Sequence, residues 1–207
     1  MPMTNIKNII FDLGGVLLDI DTSKTNMAFE QLGINNFKNN YALHKMDSVF
    51  ENLETGKISE AAFYDSMRTL GKTPLSDQQI RDAWNALLLD FRTESLAFLE
   101  QLSARHNLYL LSNTNSIHFT AFSQRFTAGA EKKNFNDYFT KAYYSHVIGL
   151  RKPDEEIYSF VLEDAGIKAG ETLFIDDLAI NIEGAKSVGI KTHHLLPNER
   201  IEKLQFS

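Results

Sequence analysis

An apolar run that ends in one carboxylate and two glycines, Ile9-Ile10-Phe11-Asp12-Leu13-Gly14-Gly15-Val16-Leu17, constrains this chain more than any other stretch. Ile9 to Phe11 read as a strand, and Asp12 stands at its tip. The glycines that follow let the backbone turn and come close to a ligand. A lone carboxylate in that setting is placed to attack or to coordinate, although by itself it also suits a turn or a helix cap. A second apolar run, Phe174-Ile175-Asp176-Asp177, ends in two carboxylates. Adjacent acids repel, and a hard divalent cation such as Mg²⁺, held by carboxylate and carbonyl oxygens, relieves the repulsion. The alternative for that pair is an acidic turn capping the next helix.

Strand-like and helix-like stretches alternate through the second half, which predicts a parallel sheet flanked by helices. Lys7 to Asp12, Leu108 to Leu111, Thr172 to Ile175 and Ile190 to Leu195 read as strands, with Tyr143 to Ser145 a weaker one. Helical patterns cover Glu94 to Arg105, Asp154 to Ala165 and Ile180 to Val188. Pro153 suits a first helical turn, and Gly166 and Gly189 suit helix stops.

Residues from about Asp19 to Arg92 read instead as helix after helix without a strand. One helix is expected over Thr22 to Leu32 and another over Ser59 to Leu70. A third opens on a Ser76 and Gln79 capping box and runs through Trp84 to Leu88. The expected division is a core of 1–18 and 93–207 with a helical insertion over 19–92. An insertion directly after the first strand lies where parallel strands end in a ligand crevice, so it is placed to act as a lid. Over 17–92 eight Lys/Arg face eleven Asp/Glu, so anion binding has to come from the core.

The 207 residues, 43% hydrophobic, suffice for a real core. With no cysteine there is no disulfide or thiolate metal site, and the expected compartment is the reducing cytoplasm. No apolar stretch approaches the ~18 residues of a membrane helix, and the first residues lack a basic segment followed by an apolar run. A net charge of -6 without basic clusters argues against nucleic acid. A monomer or weak homodimer acting on a small molecule is expected.

Two further stretches complete the pattern. Ser112-Asn113-Thr114-Asn115 follows the Leu108 to Leu111 strand, and alone it is a polar strand-to-helix turn. Lys152, before Pro153 at a helix start, could put its ammonium on a phosphate where the helix end adds positive potential; by residue type alone it would be a surface lysine. Taken together, Asp12, Ser112, Lys152 and the Asp176-Asp177 pair with Asn181 resemble the four motifs of the haloacid dehalogenase superfamily of aspartate-nucleophile hydrolases.

The resemblance runs from Asn8 to Gly189. It is strongest to the sugar-phosphate phosphatases of the α-D-glucose-1-phosphate phosphatase-like subgroup, at Phe11 to Gly14, Asp19 to Asp21, Leu111 to Asn115, Arg151 to Pro153 and Asn181 to Ala185. The turn from Glu54 to Ser59 is similar as well. The resemblance implies a Rossmann-like parallel core with a helical cap of the C1 type. It implies Asp12 as nucleophile, with the Ser112 hydroxyl, the Asn113 backbone amide and Lys152 holding phosphate oxygens. Mg²⁺ would be bound by Asp12, the Gly14 carbonyl and Asp177 directly, and by Asp176 through water. The implied substrate is a small phosphorylated metabolite, such as a sugar 1-phosphate. Arg151 is expected to pair with a carboxylate and His118 to pack or cap. His44, Lys45, Phe50 and Glu54 are candidate cap residues for substrate selection, with buried or surface roles as the alternative.

One position departs from the family. Most of its phosphatases carry a second Asp two residues after the nucleophile, where it protonates the leaving group; here Gly14 stands there. General acid–base help is worth about 10²–10⁴ in rate, so its loss predicts slow turnover, a good leaving group or a substitute acid. Asp19 and Asp21 are the nearest acids in sequence, and both also suit capping of the first insertion helix. The same gap leaves two alternatives open. One is a metal-independent 2-haloacid dehalogenase, against which Asp176 and Asp177 speak. The other is a weakly active or inactive protein that binds a phosphorylated metabolite.

Overall fold

The structure, a computed structural model, describes residues 5–34, 37, 47–71, 74–129 and 134–205. In chain order, strands β1 (Asn8–Phe11) and β2 (Leu18–Ile20) precede helices α1 (Thr22–Gln31), α2 (Asp47–Glu54), α3 (Glu60–Leu70) and α4 (Asp77–Asn85). Then come β3 (Leu88–Phe91), α5 (Thr93–Ser103), β4 (Asn107–Ser112), α6 (Ser116–Gly129), β5 (Lys141–Tyr144) and the short α7 (Ser145–Ile148). The chain continues through α8 (Glu155–Ala165), β6 (Thr172–Asp176), α9 (Ala179–Ser187) and β7 (Lys191–His194).

Five strands form a parallel sheet in the order β5-β4-β1-β6-β7. The near-continuous apolar sequences of the three inner strands β4, β1 and β6 follow from coverage on both faces, whereas the edge strand β7 is polar and part-exposed. Alternation then sorts the side chains. Ile9, Phe11, Leu108, Leu110, Leu173 and Ile175 enter the core cluster that includes Leu99 and Phe122. Ile10, Tyr109, Leu111 and Phe174 enter the opposite one, with Tyr158 and Ile182. Each fully buried aliphatic or Phe side chain contributes about 1.5–3 kcal/mol. β1 is central, paired with β4 on one side and β6 on the other, so a crevice opens where these strands end.

The helices between β2 and β3 gather around an aromatic cluster of Phe29, Phe37, Phe50, Phe63 and Trp84. Phe50 and Phe63 lie 5.2 and 5.1 Å from the Trp84 ring. The expected capping box forms between Ser76 and Gln79, and Asp21 caps α1 by accepting from the Ser23 amide at 2.9 Å. The expectation of a strandless insertion is corrected. β2 and β3 pair antiparallel, Leu18 with Phe91 and Ile20 with Leu88, and tie its two ends together. Leu87 and Leu88 prolong the apolar pattern of α4, yet the helix ends at Asn85 because the next residues find strand partners instead. Helices α2 and α6 were not foreseen in the sequence. Pro153 lies before α8 rather than in its first turn, since Asp154 is the N-cap. Gly166 and Gly189 end their helices with φ of 65° and 84°. Among the described residues, no helix is long and apolar enough to cross a membrane.

Candidate active site

Asp12 follows the last residue of β1, and its amide donates to Ile175 O at 2.9 Å, so the sheet ladder itself fixes the nucleophile candidate beside β6. The loop beyond is bonded to itself: the Leu17 and Leu18 amides donate to Leu13 O at 2.8 and 2.9 Å, and the Gly15 amide to Leu18 O at 2.8 Å. Gly15 has φ of +73°, and a Cβ there would stand 2.3 Å from Asp177 Oδ2. Glycine is required at 15 for both conformation and space.

Lys152 joins the motifs. It is 1% exposed, and its Nζ donates to Asp12 Oδ1 at 2.6 Å and to Asp176 Oδ2 at 2.7 Å. A charge this deeply buried requires partners on that scale. Burial alone would lower the Lys152 pKa, but the Asp12 and Asp176 carboxylates outweigh it and hold the ammonium charged. Asp176, fully buried, also accepts from the Leu178 amide at 2.8 Å and from Asn181 Nδ2 at 3.1 and 3.0 Å.

The Lys152 loop is held by a contact that sequence reasoning missed. Asn113 Nδ2 donates to Lys152 O at 2.8 Å, while the Lys152 amide donates to Asn113 Oδ1 at 2.9 Å. The Asn113 side chain thus serves as a clamp on the backbone of Lys152. Ser112 ends β4 beside it, 2% exposed. Next door, Ser145 Oγ donates to Thr114 O at 2.8 Å and accepts from the Thr114 amide at 2.9 Å, fixing the start of α6.

Asp12, Asp176 and Asp177 each bring a carboxylate oxygen into one cluster whose ligand atoms lie within 4.8 Å of one another. Three carboxylates around one ammonium leave negative charge uncompensated, and their hard oxygens suit Mg²⁺. Burial, against the pull of Lys152 and with the push of Asp176, raises the Asp12 pKa to about 7. Burial and the Asp176 carboxylate also raise Asp177. A cation bound among these carboxylates would oppose both shifts.

The remaining candidates separate. Arg151 pairs with two carboxylates of α2, Glu51 at 2.6 Å and Glu54 at 3.2 Å. Phe50 belongs to the aromatic cluster, while Glu54 faces the Lys152 loop. His118 stacks on Trp84 at 4.9 Å with Nδ1 at 2.8 Å from Asn85 Oδ1, and burial lowers its pKa to about 3, as a packing residue should behave. Asp21 caps α1 as expected, whereas Asp19 pairs with Arg92 at 2.7 Å. His44 and Lys45 lie outside the described residues. A groove of about 790 Å³ between α4 and α6, lined by Glu60, Arg81, Asp82 and Arg125 among others, contains none of Asp12, Asp176 and Asp177.

A carboxylate cluster built around a buried lysine, at the switch point of a parallel sheet, marks an α/β enzyme. The sequence pattern of the haloacid dehalogenase-like hydrolases matches residues 6–189. The chain belongs to that family. It is 35% identical over 188 residues to a D-ribitol-5-phosphate phosphatase of Bacteroides thetaiotaomicron, covering 90% of each chain. A solved haloacid dehalogenase family enzyme of that organism superposes with a TM-score of 0.90 at 37% identity, covering 96% of this chain and 98% of that one. The same enzyme solved with magnesium and inorganic phosphate gives 0.87 at 37% identity, covering 95% and 97%.

Proposed function

We propose that the protein is a Mg²⁺-dependent phosphatase of a small phosphorylated sugar or sugar alcohol, acting through an aspartyl-phosphate on Asp12. The observation that carries this is Lys152 Nζ, 2.6 Å from Asp12 and 2.7 Å from Asp176 at the carboxyl ends of β1 and β6. In the first step an Asp12 oxygen attacks phosphorus in line, the ester P–O bond breaks, and the departing alkoxide takes a proton. Water then cleaves the acyl phosphate, releasing phosphate and restoring Asp12. The Lys152 ammonium, the Ser112 hydroxyl and the Asn113 amide hold the phosphoryl oxygens in that geometry.

Asp12, the Gly14 carbonyl and Asp177 would hold Mg²⁺ directly, and Asp176 through water. The assignment is supported by Asp176 already serving Lys152, Leu178 and Asn181. When bound, Mg²⁺ supplies positive charge that offsets the charge on the phosphoryl oxygens. Residues 19–92 act as the cap over a core of 1–18 and 93–207, in a cytoplasmic monomer or weak homodimer.

The relative's name supports a polyol phosphate, while the glycine at 14 favours a leaving group as good as a sugar 1-phosphate. Phosphate release from D-ribitol 5-phosphate, a panel of sugar 1- and 6-phosphates and p-nitrophenyl phosphate should require Mg²⁺ and vanish on chelation. Full activity in excess chelator, or halide release from 2-chloropropionate, would overturn the proposal in favour of a dehalogenase.

A further inference from the structure

Gly14 leaves the proton for the departing oxygen without a donor at the usual place, and both nearby acids have partners of their own. Asp21 is engaged as the cap of α1 and Asp19 is paired with Arg92. The insertion brings one further carboxyl to the Lys152 loop: Glu54, the last residue of α2, 3.2 Å from Arg151 Nη2.

We propose that Glu54 is the general acid and base of this phosphatase, reaching down from the insertion to do what a carboxyl at position 14 does elsewhere. The inference rests on the phosphatase reading above.

Three observations support it. First, the turn after Glu54 seats directly on the core: a Cβ on Gly56 would lie 2.3 Å from His146 O, and one on Gly149 would lie 4.0 Å from Thr55 O. This contact places Glu54 against the loop that delivers Lys152, at 3.2 Å from Arg151 Nη2. Second, Arg151 has one guanidinium for two carboxylates. Glu51 makes the shorter contact, 2.6 Å, and its side chain is 56% exposed, whereas that of Glu54 is 23% exposed. Glu51 thus takes the closer share of the guanidinium, and Glu54 is the less well compensated of the two carboxyls. Third, Glu54 closes a helix, where the backbone carbonyls disfavour a carboxylate. In keeping with this, burial raises the Glu54 pKa, with Glu51 adding to the rise and Arg151 and Lys152 opposing it.

The proton balance is complete. In the first step the Glu54 carboxyl gives its proton to the ester oxygen as the P–O bond breaks. In the second the resulting carboxylate takes a proton from the water that attacks the aspartyl-phosphate, and the acid is regenerated.

The test is a leaving-group series of p-nitrophenyl phosphate, phenyl phosphate and D-ribitol 5-phosphate with Mg²⁺. Glu54→Gln should lower kcat/KM for the ribitol ester by about 10²-fold or more, and that for p-nitrophenyl phosphate by no more than about threefold, because nitrophenolate departs without protonation. The ratio is independent of how much of the variant folds. The fall in activity at alkaline pH, where the acid loses its proton, should disappear in Glu54→Gln. In Glu51→Gln it should move to lower pH, because Arg151 then serves Glu54 alone. Adding Gly14→Asp to Glu54→Gln should restore the ribitol rate in part. The φ of Gly14 is not in the left-handed range, and a Cβ there meets only the Ile20 side chain, at 3.2 Å. Equal losses on all three esters would reduce Glu54 to a structural partner of Arg151, and no loss would remove it from the reaction. If the unmodified protein hydrolyses none of them, the phosphatase reading itself fails.

Discussion

Asp12 and Lys152 are 140 residues apart in sequence and 2.6 Å apart in space, and most of the proposed chemistry depends on that pair. Asp12→Asn keeps the shape and removes the proposed nucleophile, so kcat should fall by at least roughly 10³-fold with circular dichroism unchanged. Mass spectrometry must exclude deamidation, since wild-type-like turnover in a clean preparation would clear Asp12 of its role. The raised Asp12 pKa of about 7 has a second readout. Without a cation, the folded state holds this proton more tightly than the unfolded chain does. Asp12 therefore favours folding most at low pH, and that contribution is lost as pH rises through about 7. Asp12 must lose this proton before it can serve as the proposed Mg²⁺ ligand. Calorimetric titration in buffers of different ionisation enthalpy should show proton release at pH 6.5 and none at pH 9; equal release at both would contradict the shift. A third expectation concerns Gly15, whose absent Cβ leaves room for Asp177. Gly15→Ala should weaken Mg²⁺ binding by tenfold or more, about 1.4 kcal/mol, by displacing that carboxylate. Unchanged affinity would mean that Asp177 is not a direct ligand.

At the scale of elements, α4 links the inserted helices to the core through Trp84. Its ring packs on Phe50 and Phe63 within the insertion, stacks on His118 of α6 at 4.9 Å, and Nε1 donates to Asn115 Oδ1 at 3.4 Å. Trp84→Ala should cost about 3–5 kcal/mol in urea unfolding. Trp84→Phe should cost far less; equal losses would mean that the indole N–H, rather than packing, holds the two parts together. The elements that were legible in the sequence announced themselves locally. β1 and β6 are apolar runs with abrupt polar ends, and α4 carries its capping box. Those that were missed depend on distant partners. β3 reads as more of α4 until Leu18 and Ile20 are there to pair with it. α6 buries Ile117, Phe122 and Phe126 in two different clusters, so no clean apolar stripe marks it. The contacts of Asn113 and Glu54 were hidden for the same reason, since each is made to the loop of residues 151–152, far away in sequence.

Across the whole molecule, the four motifs could be read from the sequence because each follows a strand or starts a helix. Their assembly could not, because it depends on sheet order. That order carries a consequence for the kinetics of folding. The middle strand meets one neighbour after about a hundred residues and the other later still: Asn8 bonds Thr172 across a separation of 164. Long-range parallel pairing is slow, since loop-closure entropy is lost before contacts compensate for it. A nascent chain that lacks residues beyond 170 has β1 with one edge open and neither Asp176 nor Asp177 in place. Such a fragment should hydrolyse nothing, bind no Mg²⁺ and aggregate through its unpaired edge, detectable by light scattering on ribosome release. A soluble, Mg²⁺-binding 1–170 fragment would show that the site forms before the sheet is complete. On this topology, the proposed nucleophile at the end of β1 remains chemically silent until β6, paired with that strand across a separation of 164 residues, has been made.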